Sequence, residues 1–419
     1  MTHFKRILRT ASRQEGVVII MVAVGIVAIM AILGLAIDTG RLVVVKAELA
    51  KACDGGALAG ARVLPLGKKP AEDAAYAYAQ MNFAPGFMNT TSHDFDVNVV
   101  NDSQSPRVTI DGTANMPTTF LRVVGIETVA VHATAQSERR PLSVALVLDN
   151  SGSLAKSYNG VDAIGYLRGA TDTFVDYFDD TADKMSLSLF STGTVLSYPL
   201  GYNFKAPMKR EFAGMIARDN TNLGDGLISG WQQLNSDPDP STFRALVFFT
   251  DGRPTSLRAV FTVNGVPWDA VISGDQDPSG PVDSQLYRYD QFHTSIKGVV
   301  YNGPTLPGGL ARTAANLQKL ASQNLLAAAA SARRDGISVY TIGLGNPRAS
   351  KPWIEPDTRL LMEVANVPSG VDPKTGNLVD NPAYDPTQPK GGFYFAPDAD
   401  ELNVVFEQVA REIVLRLTQ

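Results

Sequence analysis

The chain has 419 residues, 44% of them hydrophobic, and a formal net charge of -5 at pH 7. This length and composition allow a large buried core and predict two or three structural units. The acidic balance, with no Lys/Arg run interleaved with aromatic residues, excludes a nucleic-acid-binding protein. The single cysteine, Cys53, excludes an intrachain disulfide framework and a cysteine-based metal site. It is interpreted as a small helix residue, with pairing between chains left open.

The N-terminal region predicts a membrane-spanning helix. Residues 16–37 form a run of 22 residues without a charged side chain, and about 20 helical residues cross the hydrocarbon core of a bilayer. The run is longer than the apolar core of a cleaved signal peptide, although Leu35-Ala36 leaves cleavage open. Residues 1–15 form a basic leader, which we expect on the cytoplasmic side with the rest of the chain outside the cytoplasmic membrane.

Residues 38–62 are expected to continue the same helix beyond the membrane, because they contain no proline. Leu35, Leu42 and Leu49 recur at a spacing of seven residues, which is typical of a packed helical face. Small residues crowd positions 55–61. They either allow another element to approach closely or mark a fraying helix end.

Residues 63–141 predict a small α+β membrane-proximal module followed by a linker. A helical patch covers 71–81. Alternating apolar and polar residues predict strands at 95–99, 107–111 and 128–133.

Residues 142–419 alternate between strand and helix patterns, which predicts an α/β fold with a six-stranded, mostly parallel sheet and helices on both faces. The predicted strands are 142–148, 185–190, 195–198, 244–249, 337–342 and 393–396, of which the second and third form a hairpin. The predicted helices are 163–178, 223–235, 310–334 and 398–417. Two segments rich in Pro, Gly and Asp, 253–309 and 346–392, are too long for ordinary connections and predict insertions. Both follow strands, so we expect them at the carboxyl edge of the sheet, where α/β proteins bind ligands.

Oxygen-bearing side chains cluster where two predicted strands end and in one loop between them. They are Asp149, Ser151, Ser153, Thr221 and Asp251. Carboxylate and hydroxyl oxygens suit a hard divalent cation. The alternative for the first motif is that Asp149 and the two serines only cap the following helix. No histidine, lysine or further glutamate accompanies these motifs as a general base, so we do not expect an enzyme.

The ordered set Asp-x-Ser-x-Ser, then Thr, then Thr-Asp-Gly resembles the metal-ion-dependent adhesion site of a von Willebrand factor type A domain. The resemblance covers about residues 142–419. It implies that Ser151, Ser153 and Thr221 are near ligands of the ion, and that Asp149 and Asp251 bind it directly or through water.

The N-terminal half is similar to the TadG-like group of tight-adherence (Flp) pilus assembly proteins. The residues that carry this similarity are Glu15-Gly16, the stretch GLAIDTGR at 34–41, KACDGGALAGA at 51–61 and PTTFL at 117–121. Together the two resemblances imply a single-pass protein of the bacterial inner membrane, with its N-terminus in the cytoplasm. They imply that its external domain binds an acidic side chain of a protein partner through Mg²⁺, with Mn²⁺ or Ca²⁺ as alternatives. A role in assembling or anchoring a pilus follows from the same resemblance.

Two functions of other classes remain open at this stage. The first is a structural, pilin-like envelope subunit, in which helix 17–62 packs laterally or self-associates and the metal only stabilises the fold. The second, an envelope hydrolase with Ser151 as nucleophile, is disfavoured because the sequence lacks the glycine-flanked elbow and a histidine partner near it.

The first insertion holds two further features. Asp275-x-Asp277-x-Ser279-Gly280 imitates the start of a calcium loop, but Leu286 stands where a bidentate glutamate is needed, which favours a flexible acidic loop. Five aromatic residues form either a partner-binding surface or the insertion's own core. They are Trp268, Tyr287, Tyr289, Phe292 and Tyr301.

Overall fold

The computed structural model describes residues 2–100, 106–139, 141–158, 161–237, 239, 242–289, 295–346 and 355–416. The chain divides into two compact units, Met1–Arg139 and Arg140–Leu417.

The first unit combines two helices with a three-stranded antiparallel sheet in the order β1-β2-β3. Its helices are α1 (Thr2–Val63) and α2 (Lys68–Asn82), and its strands are β1 (Ser92–Val100), β2 (Arg107–Pro117) and β3 (Thr128–Glu138). Buried and more exposed residues alternate along all three strands, because one face of the sheet packs on the helices. Cys53 lies buried in this core.

Small residues on α1 let α2 approach closely. A Cβ on Gly56 would lie 2.8 Å from the carbonyl oxygen of Ala75, and one on Gly60 would lie 2.9 Å from the Ala75 Cβ. On the same helix Leu49 is fully buried. Of the two interpretations of the small residues, close approach of a second helix is therefore the one that the structure supports.

The second unit contains the remaining strands and helices. Its strands are β4 (Leu142–Asp149), β5 (Ser157–Tyr158), β6 (Val161–Asp162), β7 (Lys184–Phe190), β8 (Thr194–Gly201), β9 (Phe243–Thr250), β10 (Ser256–Val263), β11 (Val266–Ser273), β12 (Gln285–Tyr289), β13 (Ser295–Val300), β14 (Ser338–Leu344), β15 (Ser369–Val371), β16 (Leu378–Asp380) and β17 (Gly392–Ala396). Its helices are α3 (Ala163–Asp176), α4 (Lys205–Gly214), α5 (Leu223–Asn235), α6 (Ala314–Arg334), α7 (Thr358–Ala365) and α8 (Leu402–Arg416).

The main sheet has six strands in the order β17-β14-β9-β4-β7-β8. All neighbours pair in parallel except β7 and β8, which form an antiparallel hairpin. This confirms the predicted fold class. Every residue of β4 is buried, because helices cover both faces of the strand. Leu142, Val144, Leu146 and Leu148 face α3, α4 and α8. Ala145 and Val147 face α5, α6 and α7 on the other side.

The segment 253–309 folds as a four-stranded antiparallel sheet, β10-β11-β12-β13. Asn264 and Gly265 join its first two strands with positive φ angles of 50° and 79°, as a two-residue hairpin turn requires. Tyr301 is buried with its ring centroid 5.4 Å from that of Phe261. Among the aromatic residues predicted for either role, Tyr301 thus belongs to the insertion's own core.

The acidic loop of this insertion is built from local turns. The Asp275 carboxylate accepts a hydrogen bond from the Asp277 amide at 2.9 Å, and the Asp277 carboxylate accepts one from the Ser279 hydroxyl at 2.7 Å. Of the other aromatic residues, the Tyr289 side chain and Phe292 lie outside the described residues.

The segment 346–392 contains helix α7, which packs against β14 and supplies the crossover that two parallel strands require. The hairpin β15-β16 is added to it. Helix α7 is therefore part of an ordinary connection between two parallel strands, and the hairpin β15-β16 is inserted into that connection.

Candidate metal centre

The predicted ligands meet at the carboxyl edge of the main sheet, between β4 and β9. These two strands are neighbours in parallel register, with Leu148 opposite Phe249, so Asp149 and Thr250 end side by side. Chain connections leave this point in opposite directions, toward β7 on one side and toward β14 on the other. Such a switch point forms a crevice at the carboxyl ends of the strands.

Asp149 is fully buried, and two hydrogen bonds orient its carboxylate. The Ser151 amide donates to Oδ1 at 2.8 Å, and the Thr250 hydroxyl donates to Oδ2 at 2.6 Å. Burial raises the pKa of Asp149 to about 6, although hydrogen bonds from Thr250 and Ser151 act in the opposite direction.

The two serines connect the first motif with Asp251. The Ser151 and Ser153 hydroxyl oxygens are 3.0 Å apart, and the Ser153 hydroxyl donates to Asp251 Oδ1 at 2.6 Å. Ser151 is buried and Ser153 is half-buried. A Cβ on Gly152 would lie 3.2 Å from the Asp219 carbonyl oxygen, to which the Gly152 amide donates at 3.0 Å. Glycine at this position allows the two loops to approach each other closely.

Thr221 is buried in a loop that backbone hydrogen bonds hold in place. Its amide donates to the Thr255 hydroxyl at 2.9 Å, and its carbonyl oxygen accepts from the Thr255 amide at 2.9 Å. A Cβ built on Gly252 would lie 3.9 Å from Thr221 Oγ1 and 4.0 Å from Ser153 Oγ. Both hydroxyls therefore lie close to the Gly252 backbone, next to Asp251.

The pKa of Asp251 is raised further than the pKa of Asp149. Burial and the nearby Asp149 carboxylate raise the pKa of Asp251 to about 8, against the hydrogen bond from Ser153 and the charge of Lys156. Two buried carboxylates close to each other repel when both are ionised. A bound divalent cation would remove this repulsion and favour the ionised form of both.

The donor set fits a hard divalent ion, because it consists of two carboxylates and three hydroxyls with no sulfur or imidazole. In the part of the chain that the structure describes, no three His, Cys, Asp or Glu side chains are grouped so that they could hold a metal ion. The candidate centre differs from such groups because three of its five side chains would bind through hydroxyl oxygens and only two are carboxylates. The structure thus brings all five predicted residues to one place.

The structure also brings two charged residues near the centre that the sequence motifs did not predict. Lys156 lowers the pKa of Asp251, and Glu355 raises it through its own negative charge. These two residues act on Asp251 through their charges, and the expectation that no lysine or further glutamate serves the motifs as a general base stays a prediction. Lys156 lies three residues after Ser153 and could have been noticed. Glu355 comes from the second insertion, and only the tertiary fold brings it here.

The N-terminal segment has a recognised family relationship. Residues 16–63 match the family described as putative Flp pilus-assembly TadE/G-like. The match ends at Val63, where α1 also ends. It confirms the resemblance over residues 16–63, whereas the motif at 117–121 lies outside the match. The described part of α1 from Val17 onward is long and apolar enough to cross a membrane.

The solved structures to which the chain is similar include three proteins of pili. The SpaC pilus adhesin of Lactobacillus rhamnosus GG is 15% identical with a TM-score of 0.42, and the match covers 77% of this chain and 34% of SpaC. The PilB minor pilin of Streptococcus sanguinis is 14% identical with a TM-score of 0.43, covering 80% of each chain.

The vWF domain of the type V pili tip protein Mfa5 from Porphyromonas gingivalis is 12% identical with a TM-score of 0.42. That match covers 67% of this chain and 97% of the Mfa5 domain. No curated protein matches the chain.

Proposed function

We propose that the chain is a membrane-anchored, non-enzymatic protein of pilus assembly or adhesion, whose second unit binds an acidic group of a protein partner through a divalent cation. The buried pair Asp149 and Asp251, which hydrogen bonds of Ser151 and Ser153 connect, carries this proposal. The match of residues 16–63 to a family of putative Flp pilus-assembly proteins supports the pilus context.

Mg²⁺ is the ion that we propose first, with Mn²⁺ and Ca²⁺ as alternatives, since all three prefer oxygen ligands. Two carboxylates balance the charge of one divalent ion, and hydroxyls add neutral donors. Ser153 is half-buried whereas Ser151 and Thr221 are buried, so a ligand from outside reaches the centre past Ser153. A carboxylate of a partner would complete the coordination from that side.

The membrane anchor is the helical segment 16–37. Its side chains from Val17 onward are largely exposed, with values such as 68% for Ile19 and 68% for Ile32. Exposed side chains of this kind are expected to face lipid. We propose that the leader 1–15 lies in the cytoplasm and that the chain from residue 38 onward lies on the outer side of the inner membrane.

The experiment that tests the function is crosslinking in cells. A photoreactive residue replaces Ser157, which is exposed and close in sequence to the ligands. We expect a crosslinked protein partner that disappears on chelation of divalent ions and in the variants Asp149→Asn and Thr221→Ala. The variant Glu211→Gln, which removes an exposed carboxylate on α4 of the same unit, should keep the crosslink.

A crosslink that persists in Asp149→Asn and Thr221→Ala, while both have lost metal binding, would contradict adhesion through the metal. That result would support the structural, pilin-like subunit in which the metal only stabilises the fold.

A further inference from the structure

A loop of the first unit packs against α1 within the apolar segment. Phe120 lies directly on Gly34, and a methyl group at Gly34 would collide with the Phe120 side chain. Gly34 is buried, whereas the neighbouring Leu33 and Leu35 are 55% and 52% exposed. The absence of a side chain at position 34 is therefore what lets the loop reach this part of the helix.

Asp38 holds the same loop in place one helical turn further along α1. Its carboxylate accepts hydrogen bonds from the amides of Thr119 at 2.9 Å, Phe120 at 2.8 Å and Leu121 at 2.8 Å. Burial alone would raise the pKa of Asp38, but these three amides and Arg41 together hold it below its ordinary value. The Arg41 guanidinium also donates to the Thr119 hydroxyl at 2.7 Å. Two charged side chains thus fix the loop on the helix.

The helix geometry places this loop at the depth of the membrane boundary. Gly34 precedes Ile37, the last residue of the uncharged run, by three positions. At a rise of about 1.5 Å per residue, Gly34 lies roughly 4.5 Å inside that end of the span. Phe120, which touches Gly34, lies at the same depth. The loop cannot avoid the membrane surface if the span is residues 16–37.

The tip of the loop is apolar and exposed. Val123 is 85% exposed and Ile126 is 44% exposed, while the Arg122 side chain beside them is also exposed. An exposed apolar tip next to a membrane span gains free energy from contact with lipid. An arginine at the same level can extend to the phosphates of the headgroups.

We propose that loop 119–126, here called the tip loop, inserts the side chains of Val123 and Ile126 into the leaflet at the C-terminal end of the span. This inference rests on the membrane anchor proposed above. The partner of this surface is the lipid bilayer, because the surface is continuous with a helix segment that is itself covered by lipid. The tip loop then fixes the first unit against the membrane, in addition to the helix.

The test uses the full chain in nanodiscs of phosphatidylcholine and phosphatidylglycerol. Single cysteines replace Ile26 in the span, Val123 in the tip loop and Leu66 beyond the far end of α1, and each carries an environment-sensitive NBD dye. Cys53 can stay, because it is buried and burial raises its pKa to about 11, so its thiol reacts slowly. The unsubstituted chain measures any residual labelling.

Quenching by nitroxide lipids and by aqueous iodide then reports the position of each dye. We expect Ile26→Cys and Val123→Cys to be quenched by lipid nitroxide, and Val123→Cys to be quenched by iodide at least about threefold less than Leu66→Cys. Leu66 is an apt control because it is apolar and 65% exposed, as a side chain in water would be.

Three other quenching results would each overturn the tip-loop proposal or the membrane anchor on which it rests. If the dye at Ile26 is in lipid and the dye at Val123 behaves like that at Leu66, the tip-loop proposal is wrong and the anchor stands. If the dye at Val123 is protected from both quenchers, protein and not lipid covers the loop, and the proposal is also wrong. If the dye at Ile26 is outside the lipid, the anchor itself fails.

Discussion

At the scale of single residues, three buried aspartates of the second unit differ in how their charge is balanced. The Asp237 carboxylate accepts hydrogen bonds from the Ser143 hydroxyl at 2.5 Å and from Lys184 Nζ at 2.9 Å. Burial acts to raise the pKa of Asp237, but these partners lower it below its ordinary value of 3.8. Burial raises the pKa values of Asp149 and Asp251 instead. Lys184 neutralises the charge of Asp237 from within the protein. We expect that a divalent ion from solution neutralises the charges of Asp149 and Asp251.

The variant Asp237→Asn should lower the free energy of unfolding of the second unit by about 1–3 kcal/mol at neutral pH, because Lys184 loses its charged partner. A lowered carboxyl pKa means that the folded state binds fewer protons than the unfolded state. The stabilisation is therefore present above about pH 4 and is lost as the pH falls through the folded pKa. Urea unfolding followed by tryptophan fluorescence measures it, since all three tryptophans belong to this unit.

Glu211→Gln is the matched control for this variant, because it removes an exposed carboxylate of the same unit. Its free energy of unfolding should stay within about 0.5 kcal/mol of the unsubstituted chain. If the difference between Asp237→Asn and the unsubstituted chain persisted unchanged at acidic pH, the charge of Asp237 would not be its source.

At the scale of elements, the close packing of α1 on α2 depends on positions without a side chain. A Cβ on Gly56 would lie 2.6 Å from Ile110 Cδ1 and 2.8 Å from a backbone oxygen of α2. A backbone oxygen cannot rotate away as a side chain can. The two helices and the sheet must therefore separate locally if this position gains a methyl group.

The variant Gly56→Ala should destabilise the first unit by about 1–3 kcal/mol through overpacking. Hydrogen exchange of α2 peptides, read by mass spectrometry, should become faster. The matched control is Gly40→Ala on the same helix, where a Cβ meets nothing within 4 Å. That variant should be neutral or stabilising by up to about 1 kcal/mol, because alanine favours the helix over glycine. Equal exchange in both variants would contradict the packing account.

How far the elements could be predicted depends on where their determinants lie. Strands β4 and β9 are buried on both faces, so each appears in the sequence as a continuous apolar run. The sheet β10-β13 was not predicted, although Asn264-Gly265 between apolar stretches is a strong hairpin signal. Helix α7 was hidden in a segment rich in Pro and Gly. Its caps were nonetheless present, because Asp357 accepts a hydrogen bond from the Leu360 amide and Asn366 ends the helix with a φ of 51°.

The candidate centre was easier to predict than its surroundings. Asp149 ends β4, Ser151 and Ser153 follow it, and Asp251 follows β9. Because β4 and β9 are neighbours in the sheet, the pairing of these strands alone brings the four residues together. The position of Glu355 near Asp251 depends on how the second insertion folds back, for which no local pattern exists. Local sequence determines which oxygens are available, and tertiary structure determines which further charges act on them.

At the scale of the whole molecule, the membrane segment, the rest of the first unit and the second unit follow one another along the chain and have different proposed roles. In the proposed function the segment 16–37 anchors the chain, the sheet β1-β2-β3 packs on the helix that contains this segment, and the second unit carries the candidate metal centre. The pilus context comes from the family match at residues 16–63. In the proposed function, partner binding depends on one step, the binding of the divalent cation.

Titration of the full chain with Mn²⁺, followed by electron paramagnetic resonance of the free ion, tests that step most directly. We predict one bound ion per chain, displaced by Mg²⁺, and affinity at least about tenfold weaker in Asp251→Asn and Thr221→Ala. Glu211→Gln should bind as the unsubstituted chain does, and urea unfolding should show that all variants are folded. Absence of binding to the unsubstituted chain, or equal binding in Asp251→Asn and Thr221→Ala, would contradict the metal centre.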